Sequence, residues 1–568
     1  AVAFLCYCGP FPSEYRQSIV GKWKKIFRTQ KMLFNPNFSP TLFLEEAVNV
    51  QDWHIHGLAN DEYSEENATL VLFGERWPLC IDPQNQANKW IKKMYKDKLI
   101  VMTTKKENYI NILENALQTG QQCLIQDIGE DIDPSLMPIL NREFVKQGPA
   151  KLFKLGPDRL VGLHPDFRLF ITTKMTNPTW APEVTSRTTV VNFSVKEQGL
   201  EEQMLGIVVG KERPDLESEK IRLVTQMAQD KQTLHETELK ILNLLASKKS
   251  SELLNDDALV GTLEDSKHLS ANISEKLKSA AETEKKIDAA REGYRTVANR
   301  ASSLFFVLSD LAYVDPMYQF SLDAYTTLFV HSLQRAQHSD DLQERNENIK
   351  SVHTLAVYTN TCRGLFEEHK LLFSFCLAVK IQKAGDQRSP GRVNPDEYLY
   401  LIRGPVGMNL EAVEGGTKPE WLGDREWEMI IGLGTLPAFE GIASSFEQYN
   451  DDWHEWYMEQ EPESQPFPGE WTRKCSLMQS MVIVRCLRPD RVMSCVRSYV
   501  IQTLGQEFVI PPPLDLGLAL SDSDAYTPLL FVLSPGVDPL IQLKQFAIQC
   551  NKQDDFHDLA LGQGQADA

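Results

Sequence analysis

The sequence has 568 residues, of which 42% are hydrophobic and 24% are charged, and its formal net charge is −19. A chain of this length exceeds what one hydrophobic core supports, so two to four domains are expected. The excess of acidic side chains argues against a general binder of nucleic acid or of an anionic membrane, because both partners require a basic face.

The two ends of the sequence favour an internal segment of a longer protein. The chain begins with Ala1 rather than Met, and its apolar opening run is too short to span a bilayer. The run also lacks the basic start of a secretory signal. We therefore expect it to be the end of a buried helix that belongs to a preceding domain.

Between about residues 42 and 195, short apolar segments alternate with amphipathic ones. The alternation predicts a mostly parallel β-sheet covered by helices on both faces. Helices are predicted between the strands, for example at 88–95 and 109–118. The predicted strands are 69–73, 79–81, 99–103, 123–125 and 169–173.

A long charged helical region follows, from residue 215 to about residue 301, with a break near 248–257. Apolar residues keep a heptad-like spacing on both sides of the break: Leu223, Met227, Leu234, Ile241 and Leu244, then Leu259, Leu263, Ile273, Leu277, Ala280, Ile287, Tyr294 and Ala298. Polar residues interrupt the second arm at Ser266, Ser270, Glu284 and Arg291. Two such arms joined by a polar turn predict an antiparallel coiled-coil hairpin, each arm roughly 45–60 Å long. Two ordinary bundle helices are the alternative, but the narrow apolar seam favours the hairpin.

The remainder of the chain is predicted to be mainly helical. Residues 302–383 are rich in apolar and aromatic side chains, which predicts a packed helical domain, whereas 384–469 predicts short helices and long loops. Helices resume at 475–504. A strand at 529–533, after three consecutive prolines, predicts that a second α/β domain begins there.

The cysteines and histidines do not form a metal-binding pattern. None of the ten cysteines stands in a C-x-x-C pair, and several lie in apolar runs, as reduced, buried thiols do. We therefore expect a reducing compartment. His54 and His56 alternate, but no further ligand stands at a suitable spacing, so no metal site is predicted.

One loop has the strand–loop–helix order of a phosphate-binding loop. A working loop follows G-x-x-x-x-G-K-[ST], in which glycines let backbone N–H groups wrap the phosphates and a hydroxyl holds Mg²⁺. With Lys89 aligned on the motif lysine, Pro83 and Asn88 replace the glycines and Trp90 replaces the hydroxyl residue. Proline donates no N–H and tryptophan cannot ligate magnesium, so an ordinary lysine at a helix start is the favoured interpretation of Lys89.

The matching acidic strand is also degenerate. Such a strand ends in Asp-Glu, which hold Mg²⁺ and activate water. Here the strand at 123–125 leads into Gln126 and Asp127. A second candidate loop at 531–540 has one glycine, at Gly536, and no Gly-Lys pair. We therefore predict no catalytic residues and no cofactor-binding site in this chain.

Several long motifs resemble those of dynein heavy chains, the microtubule motors built on six linked AAA+ modules. The run 76–91 resembles the degenerate phosphate-binding region of the fifth module. Further similar runs are 199–206, 212–217, 315–322, 363–375, 487–491 and 531–536, so the resemblance covers essentially the whole chain. Details at 446–471 resemble axonemal heavy chains of the outer-arm type.

The resemblance implies an order of domains. Residues 1–40 would end the fourth module, and 41–195 would be the large AAA+ domain of the fifth. A helical small domain would follow at 196–390, with a coiled-coil buttress at 215–301 that braces the microtubule-binding stalk. A helical and loop connector would occupy 391–510, and the sixth module's large α/β domain would begin at 511–568. The implied fold class is therefore α/β plus α.

The resemblance also implies a function. The segment would not hydrolyse ATP but would transmit ATP-driven ring changes through the buttress to the stalk. ATP and Mg²⁺ would act in modules outside it. The implied partners are the other AAA+ modules and the stalk, microtubules, and dynein intermediate and light chains, with no nucleic acid and no membrane. The implied location is the ciliary or flagellar axoneme, or alternatively cytoplasmic microtubules. An active P-loop ATPase and a passive coiled-coil scaffold are the two competing hypotheses.

Overall fold

The computed structural model divides into two compact units, Ala1–Val357 with Val379–Asn394, and Tyr358–Ala378 with Pro395–Ala568. The residues that the structure describes are 1–35, 38–106, 108–142, 144–147, 150–154, 160–247, 257–384, 393–406, 417–511, 513–523, 527–533 and 536–558.

A five-stranded parallel sheet forms the centre of the first unit. Its strands are β1 (Trp77–Ile81), β2 (Leu99–Thr103), β3 (Gln122–Gln126), β7 (Leu169–Thr173) and β8 (Thr188–Asn192), in the spatial order β2-β3-β7-β1-β8. A smaller antiparallel sheet contains β4 (Phe144–Gln147), β5 (Ala150–Lys154) and β6 (Leu160–Gly162). The predicted parallel sheet is therefore confirmed.

Helices cover both faces of the parallel sheet. They are α1 (Val2–Tyr7), α2 (Ser13–Thr29), α3 (Pro40–Leu44), α4 (Ala47–Ile55), α5 (Glu62–Phe73), α6 (Gln86–Tyr95), α7 (Tyr109–Thr119), α8 (Met137–Leu140) and α9 (Pro182–Thr185). Successive strand residues point to opposite faces. Accordingly Leu79 joins one buried cluster, with α7 and α8, and Cys80 joins another, with α1, α4, α5 and α6.

Two of the strand predictions in this region need correction. The segment 69–73 belongs to helix α5, whose N-cap Asp61 accepts a hydrogen bond from the N–H of Ser64 at 2.9 Å. A short apolar run is compatible with a buried helix as well as with a strand, and α5 is buried along most of its length. The edge strand β8 was missed, although its Thr-Thr-Val-Val run is β-branched.

The first two helices dock on the sheet domain through a buried arginine. The side chain of Arg16 is fully buried and lies 3.2 Å from the carboxylate of Glu66 on α5. It also donates to the side chain of Asn67 at 2.7 Å and to the carbonyl oxygen of Gly9 at 2.8 Å. Because a buried charge is costly unless it is paired and hydrogen-bonded, this network fixes residues 1–30 against α5.

The predicted hairpin consists of α11 (Pro214–Ser247) and α12 (Asp257–Glu292), which run antiparallel. Glu217 faces Arg291 and Lys220 faces Asp288, so a residue farther along α11 pairs with one nearer the start of α12, as in an antiparallel pair. The seam residues Met227, Ile273 and Ile287 are buried, and Leu223, Leu234, Leu277 and Ala280 are half-buried. The turn at 248–256 and the side chains of Ile241, Leu244, Leu259, Leu263 and Ser266 lie outside the described residues.

The second arm is shorter than predicted. It ends at Glu292, and a new helix, α13 (Arg295–Asp310), begins after Tyr294. Gly293 approaches the following helical region closely, since a Cβ atom there would lie 2.8 Å from Leu342. Ala298 therefore lies in α13, outside the hairpin. Helix α13 belongs to a group of helices that we call the helical part. The other helices of that part are α10 (Glu197–Glu212), α14 (Leu322–Arg335), α15 (Leu342–Cys362) and α16 (Glu367–Ala384), of which the last two have residues in both units.

The second unit is helical where it is described. Its helices are α17 (Pro395–Arg403), α18 (Asp424–Leu433), α19 (Ile442–Gln448), α20 (Asn450–Met458), α21 (Trp471–Lys474), α22 (Leu477–Leu487), α23 (Val492–Thr503), α24 (Leu516–Ser521) and α25 (Leu540–Gln549). Its core includes Phe446 stacked on Trp453, with ring centroids 4.5 Å apart. The predicted strand at 529–533 is wrong in this structure: these residues form no regular element, and Leu530 is 90% exposed. A strand requires a neighbour for its N–H and C=O groups, and no strand is described in this unit.

Among the helices described, no single one is both long and apolar enough to cross a membrane. One pair passes this test only in combination, Asp424–Leu433 with Pro437–Gln448, and it is bent by 114°.

Candidate functional site

The degenerate phosphate-binding loop lies between β1 and α6, and Asp82 dominates its geometry. The carboxylate of Asp82 accepts hydrogen bonds from the backbone N–H groups of Gln86 at 2.6 Å and Asn88 at 2.9 Å. Asn85, just before the helix, has a φ of +57°. The N–H groups at the start of a helix are those that a phosphate-binding loop presents to phosphate. Here a side chain of the same chain already occupies them.

The Asp82 carboxyl is almost completely buried, at 1% exposure. Burial raises its pKa to about 6, while its hydrogen bonds to the start of α6 and the charge of Lys89 oppose the shift. The capping interaction therefore only partly offsets the cost of removing the carboxylate from water.

Two of the predicted site residues meet across the sheet edge. The amide of Gln126, at the end of β3, donates to the side-chain oxygen of Asn88 at 2.5 Å. Asn88 replaces a glycine of the motif and Gln126 replaces its metal-binding carboxylate. Their side chains satisfy each other, so neither is directed to a phosphate or a metal ion.

The other motif positions serve different purposes. Lys89 forms an ion pair with Asp323 in the first turn of α14. Trp90 is fully buried, edge-on to Trp53 and stacked on Phe193 with ring centroids 6.1 Å apart. The residue that stands where the motif has its magnesium-binding hydroxyl, Trp90, is therefore part of the hydrophobic core.

Asp127 and Pro83 complete the predicted set. Asp127 has a φ of +55°, and its carboxylate lies 3.3 Å from the ammonium of Lys174. Pro83 follows Asp82 and has no N–H to donate. Asp127 is therefore paired with a lysine that directly follows β7, and the next residue in the sequence is Ile128 rather than a second acidic residue.

The space beside the start of α6 is small. The cavity there, lined by Gly57, Ala59, Gln86, Phe193 and Ser194 among others, has a volume of about 10 Å³. A site for a small organic ligand usually has roughly 300–1,000 Å³. The side chain of Gln203 on α10 also donates to Gln86 at 3.0 Å, which ties the helical part to this edge. The residues at this edge do not fit ATP with Mg²⁺ in this conformation.

Sequence reasoning missed Asp82, Asp323 and Gln203 as participants. Asp82 had a usable signal, since an aspartate just after a strand and before a helix is typical of a cap. Asp323 and Gln203 had none, because they lie more than one hundred residues from their partners.

The second candidate loop resembles the first in one respect. The carboxylate of Asp538 accepts a hydrogen bond from the N–H of Leu540, the first residue of α25, at 2.9 Å. Residues 534 and 535 of this loop lie outside the described part of the chain. The described portion contains Gly536, with a φ of +85°, but no lysine that could neutralise a phosphate before Lys544.

The two alternating histidines contact groups in their own region. One ring nitrogen of His54 lies 3.1 Å from the carboxylate of Glu65, and that of His56 lies 2.8 Å from the carbonyl oxygen of Asp52. The described residues contain no group of three side chains of the types that hold a metal ion.

Three arginines surround the root of the hairpin. Arg345 on α15 makes a two-pronged contact with Glu212, the last residue of α10, at 3.0 and 2.7 Å. It also donates to the carbonyl oxygens of Leu333 and Ala336 at the end of α14. Arg345 is 5% exposed, so these contacts occur out of water.

Of the other two arginines, Arg291 joins the two arms to each other and Arg295 joins α13 to α10. Arg291 Nε lies 3.1 Å from a Glu217 carboxylate oxygen, at ion-pair distance but without the alignment of a hydrogen bond. Arg295, at the start of α13, contacts Glu201 and Glu202 on α10 at 3.2 and 2.5 Å. The two arms are therefore linked to each other at their base, and α13, which follows the second arm, is linked to α10, which precedes the first.

Comparisons with known proteins agree on one family. A family profile described as "ATP-binding dynein motor region" matches residues 51–273, and one described as "Dynein heavy chain region D6 P-loop domain" matches residues 524–568. Dynein axonemal heavy chain 2 of Mus musculus is 45% identical over 100% of this chain. Dynein-1-beta heavy chain, flagellar inner arm I1 complex, of Chlamydomonas reinhardtii is 44% identical, and dynein axonemal heavy chain 1 of Homo sapiens is 38% identical, each over 100% of this chain. The chain spans only 12–13% of the length of these relatives.

Proposed function

The chain belongs to the dynein heavy chain family, and we propose that it is a non-hydrolysing segment of the motor ring of such a heavy chain. One observation carries the proposal. The carboxylate of Asp82 occupies the N–H groups at the start of α6, where an active module would hold phosphate. The matching profile is named for ATP binding, but Pro83, Asn88 and Trp90 lack the groups that this activity needs.

The Lys89–Asp323 pair supports the same proposal. In an active site the lysine would neutralise phosphate charge, whereas here Lys89 pairs with Asp323, a carboxylate of the helical part. Because α14 belongs to the helical part and α6 to the sheet domain, the pair connects the two without a bridging nucleotide. We propose that this module keeps one arrangement of its two parts through the ATP cycle.

We further propose that the hairpin of α11 and α12 transmits ring movements to the microtubule-binding stalk. Its arms contain 34 and 36 residues, which corresponds to about 50 Å each at the helical rise. The arginine contacts at its root support a rigid connection, through which a displacement of the helical part would reach the far end.

For the whole heavy chain we propose an ATP-driven microtubule motor of the axoneme. Its nucleotide chemistry would occur in modules outside this chain, and its partners would include those modules, the stalk, microtubules, and dynein intermediate and light chains. Relatives named as axonemal or flagellar support the location. The prediction of an outer-arm type is not confirmed, and similarity to a heavy chain named for the inner arm I1 complex favours the inner arm.

Calorimetric titration of the 568-residue chain with Mg-ATP tests the nucleotide proposal. We expect no saturable binding up to millimolar concentrations, and the same result for Lys89→Ala. Binding that saturates in the wild-type chain and disappears in Lys89→Ala would establish the competing ATP-binding hypothesis instead.

A further inference from the structure

A second cavity lies at the sheet edge opposite Asp82, where β1 and β7 begin. Its volume is about 330 Å³, and it is lined by Trp77 and Leu169, the first residues of those strands, and by the end of α5 at Gly74. The volume lies within the range of roughly 300–1,000 Å³ that is typical of small-ligand sites. The cavity is thus large enough for a ligand, in contrast to the space beside α6.

The lining of this cavity is basic, although the chain as a whole is acidic. Arg76, Arg142 and Arg168 line it, and Glu75 is the one carboxylate among its described lining residues. His164 also lines it, 3.7 Å from the carboxylate of Asp166. Among the described lining residues, three guanidinium groups and one carboxylate give an excess of about two positive charges, since arginine remains protonated in proteins.

Arg142 is half-buried and is the least exposed of the three arginines. Its guanidinium lies over the ring of Trp77, 4.5 Å from the centroid, and Phe167 packs edge-on against the same ring. Its Nε atom is buried and has no hydrogen-bond partner within the described part of the chain. Burial lowers the pKa of Arg142, the charge of Arg168 lowers it further, and Glu75 opposes both effects.

A partly buried guanidinium whose Nε has no hydrogen-bond partner is unfavourable, and an anionic ligand would relieve that cost. Arg168 is fixed as well, because it donates one N–H to the carbonyl oxygen of Leu72 at 2.7 Å. Guanidinium groups present planar pairs of N–H donors that match the oxygens of phosphate and carboxylate. A charge excess of about two matches a phosphate group better than a single carboxylate.

We propose that this cavity binds a small oxyanion that carries phosphate groups, with Arg142 as the half-buried donor and Arg76 and Arg168 as the exposed donors. The site is separate from the degenerate loop, because it lies at the amino ends of the strands rather than at their carboxyl ends. It does not depend on whether the segment transmits motion.

Calorimetry on the 568-residue chain with inorganic pyrophosphate tests the proposal, at constant ionic strength. We expect one saturable site, weakened at least tenfold by Arg142→Gln and severalfold by Arg76→Gln. Arg76 is exposed, so the second variant tests the site even if the first disturbs folding. The control Arg222→Gln, an exposed arginine on α11, should leave the affinity unchanged, and so should Lys89→Ala.

Four outcomes would overturn the proposal. They are the absence of saturable binding, equal weakening by Arg222→Gln, loss of binding in Lys89→Ala but not in Arg142→Gln, and tighter binding of hexaglutamate than of pyrophosphate. The last result would assign the cavity to protein carboxylates rather than to a phosphate compound.

Discussion

Asp82 shows how one carboxylate can close a phosphate-binding position. It follows β1 directly and accepts hydrogen bonds from the first N–H groups of α6, so the positive end of the helix dipole faces a fixed negative charge. Phosphate could bind these N–H groups only by displacing that carboxylate. The loop therefore lacks the motif's glycines and hydroxyl, and in addition its own carboxylate occupies the N–H groups that could bind an anion.

The buried position of Asp82 predicts a specific pH dependence of stability. Its folded pKa of about 6 lies above the ordinary value, so the protonated form favours the folded state. Its contribution is fully present below about pH 4 and is lost as the pH rises through 6, at a cost of about 3 kcal/mol. In Asp82→Asn this dependence should disappear.

Urea unfolding of the wild-type chain and of Asp82→Asn between pH 4 and 7.5 measures this effect. As the pH rises over this range, the free energy of unfolding of the variant relative to that of the wild type should increase by about 3 kcal/mol. Any cost of the amide that is independent of pH does not affect this change. Asp97→Asn, at an exposed position, is the matched control. A difference between Asp82→Asn and wild type that is independent of pH would contradict the assignment.

At the scale of elements, buried and half-buried arginines connect several helices at the root of the hairpin. Arg345 joins three elements by itself, since it contacts the end of α10 and the end of α14 from its own helix α15. Farther along the arms, the described side chains outside the seam are mostly exposed, for example those of Leu239 and Leu269. We therefore expect the hairpin to move with α10 as one body at its base.

Arg345→Met should destabilise the first unit by about 3–5 kcal/mol, because it leaves the largely buried Glu212 carboxylate unpaired. The double variant Arg345→Met with Glu212→Leu should recover a large part of the loss, since no buried charge remains unpaired. Urea unfolding measures both. Hydrogen exchange in residues 212–220 should accelerate in the single variant.

Arg213→Met provides the control for this prediction. Arg213 and Asp215 also form an ion pair beside the root, but both side chains are more than half exposed, so the loss of stability should be much smaller than in Arg345→Met. Equal losses for Arg345→Met and Arg213→Met would show that burial does not distinguish these contacts.

At the scale of the whole molecule, the role that we propose for the hairpin can be tested only in the longer heavy chain. Leu277 is half-buried in its seam, and proline there removes a helical hydrogen bond and bends the arm. Leu277→Pro in the complete motor should abolish the stimulation of ATPase activity by microtubules while ATP hydrolysis itself continues. Steady-state ATPase assays and microtubule cosedimentation measure this.

Leu277→Ala, which preserves the helix, is the matched control and should retain most of the stimulation. Unchanged coupling between microtubule binding and ATPase activity in a folded Leu277→Pro motor would contradict transmission through this hairpin.

The sequence by itself determined the features that depend on neighbouring residues. The strands at 99–103 and 169–173 followed from short apolar runs, and the hairpin followed from its heptads. The defects at Pro83 and Trp90 also followed, because a phosphate-binding loop needs particular residue types at fixed spacing. These patterns are local, so one segment contains all the information.

Only the tertiary structure decided what replaced the missing phosphate contacts. Asp323 meets Lys89, and Gln126 meets Asn88, because helices and strands distant in sequence pack at one edge of the sheet. The same reason applies to the helix at 69–73, which is buried on more than one side, so its sequence shows no alternation of apolar and polar faces. It also applies to Arg142, because only the folded chain places its guanidinium over Trp77. Packing of distant surfaces is a property of the whole chain, and no local pattern specifies it.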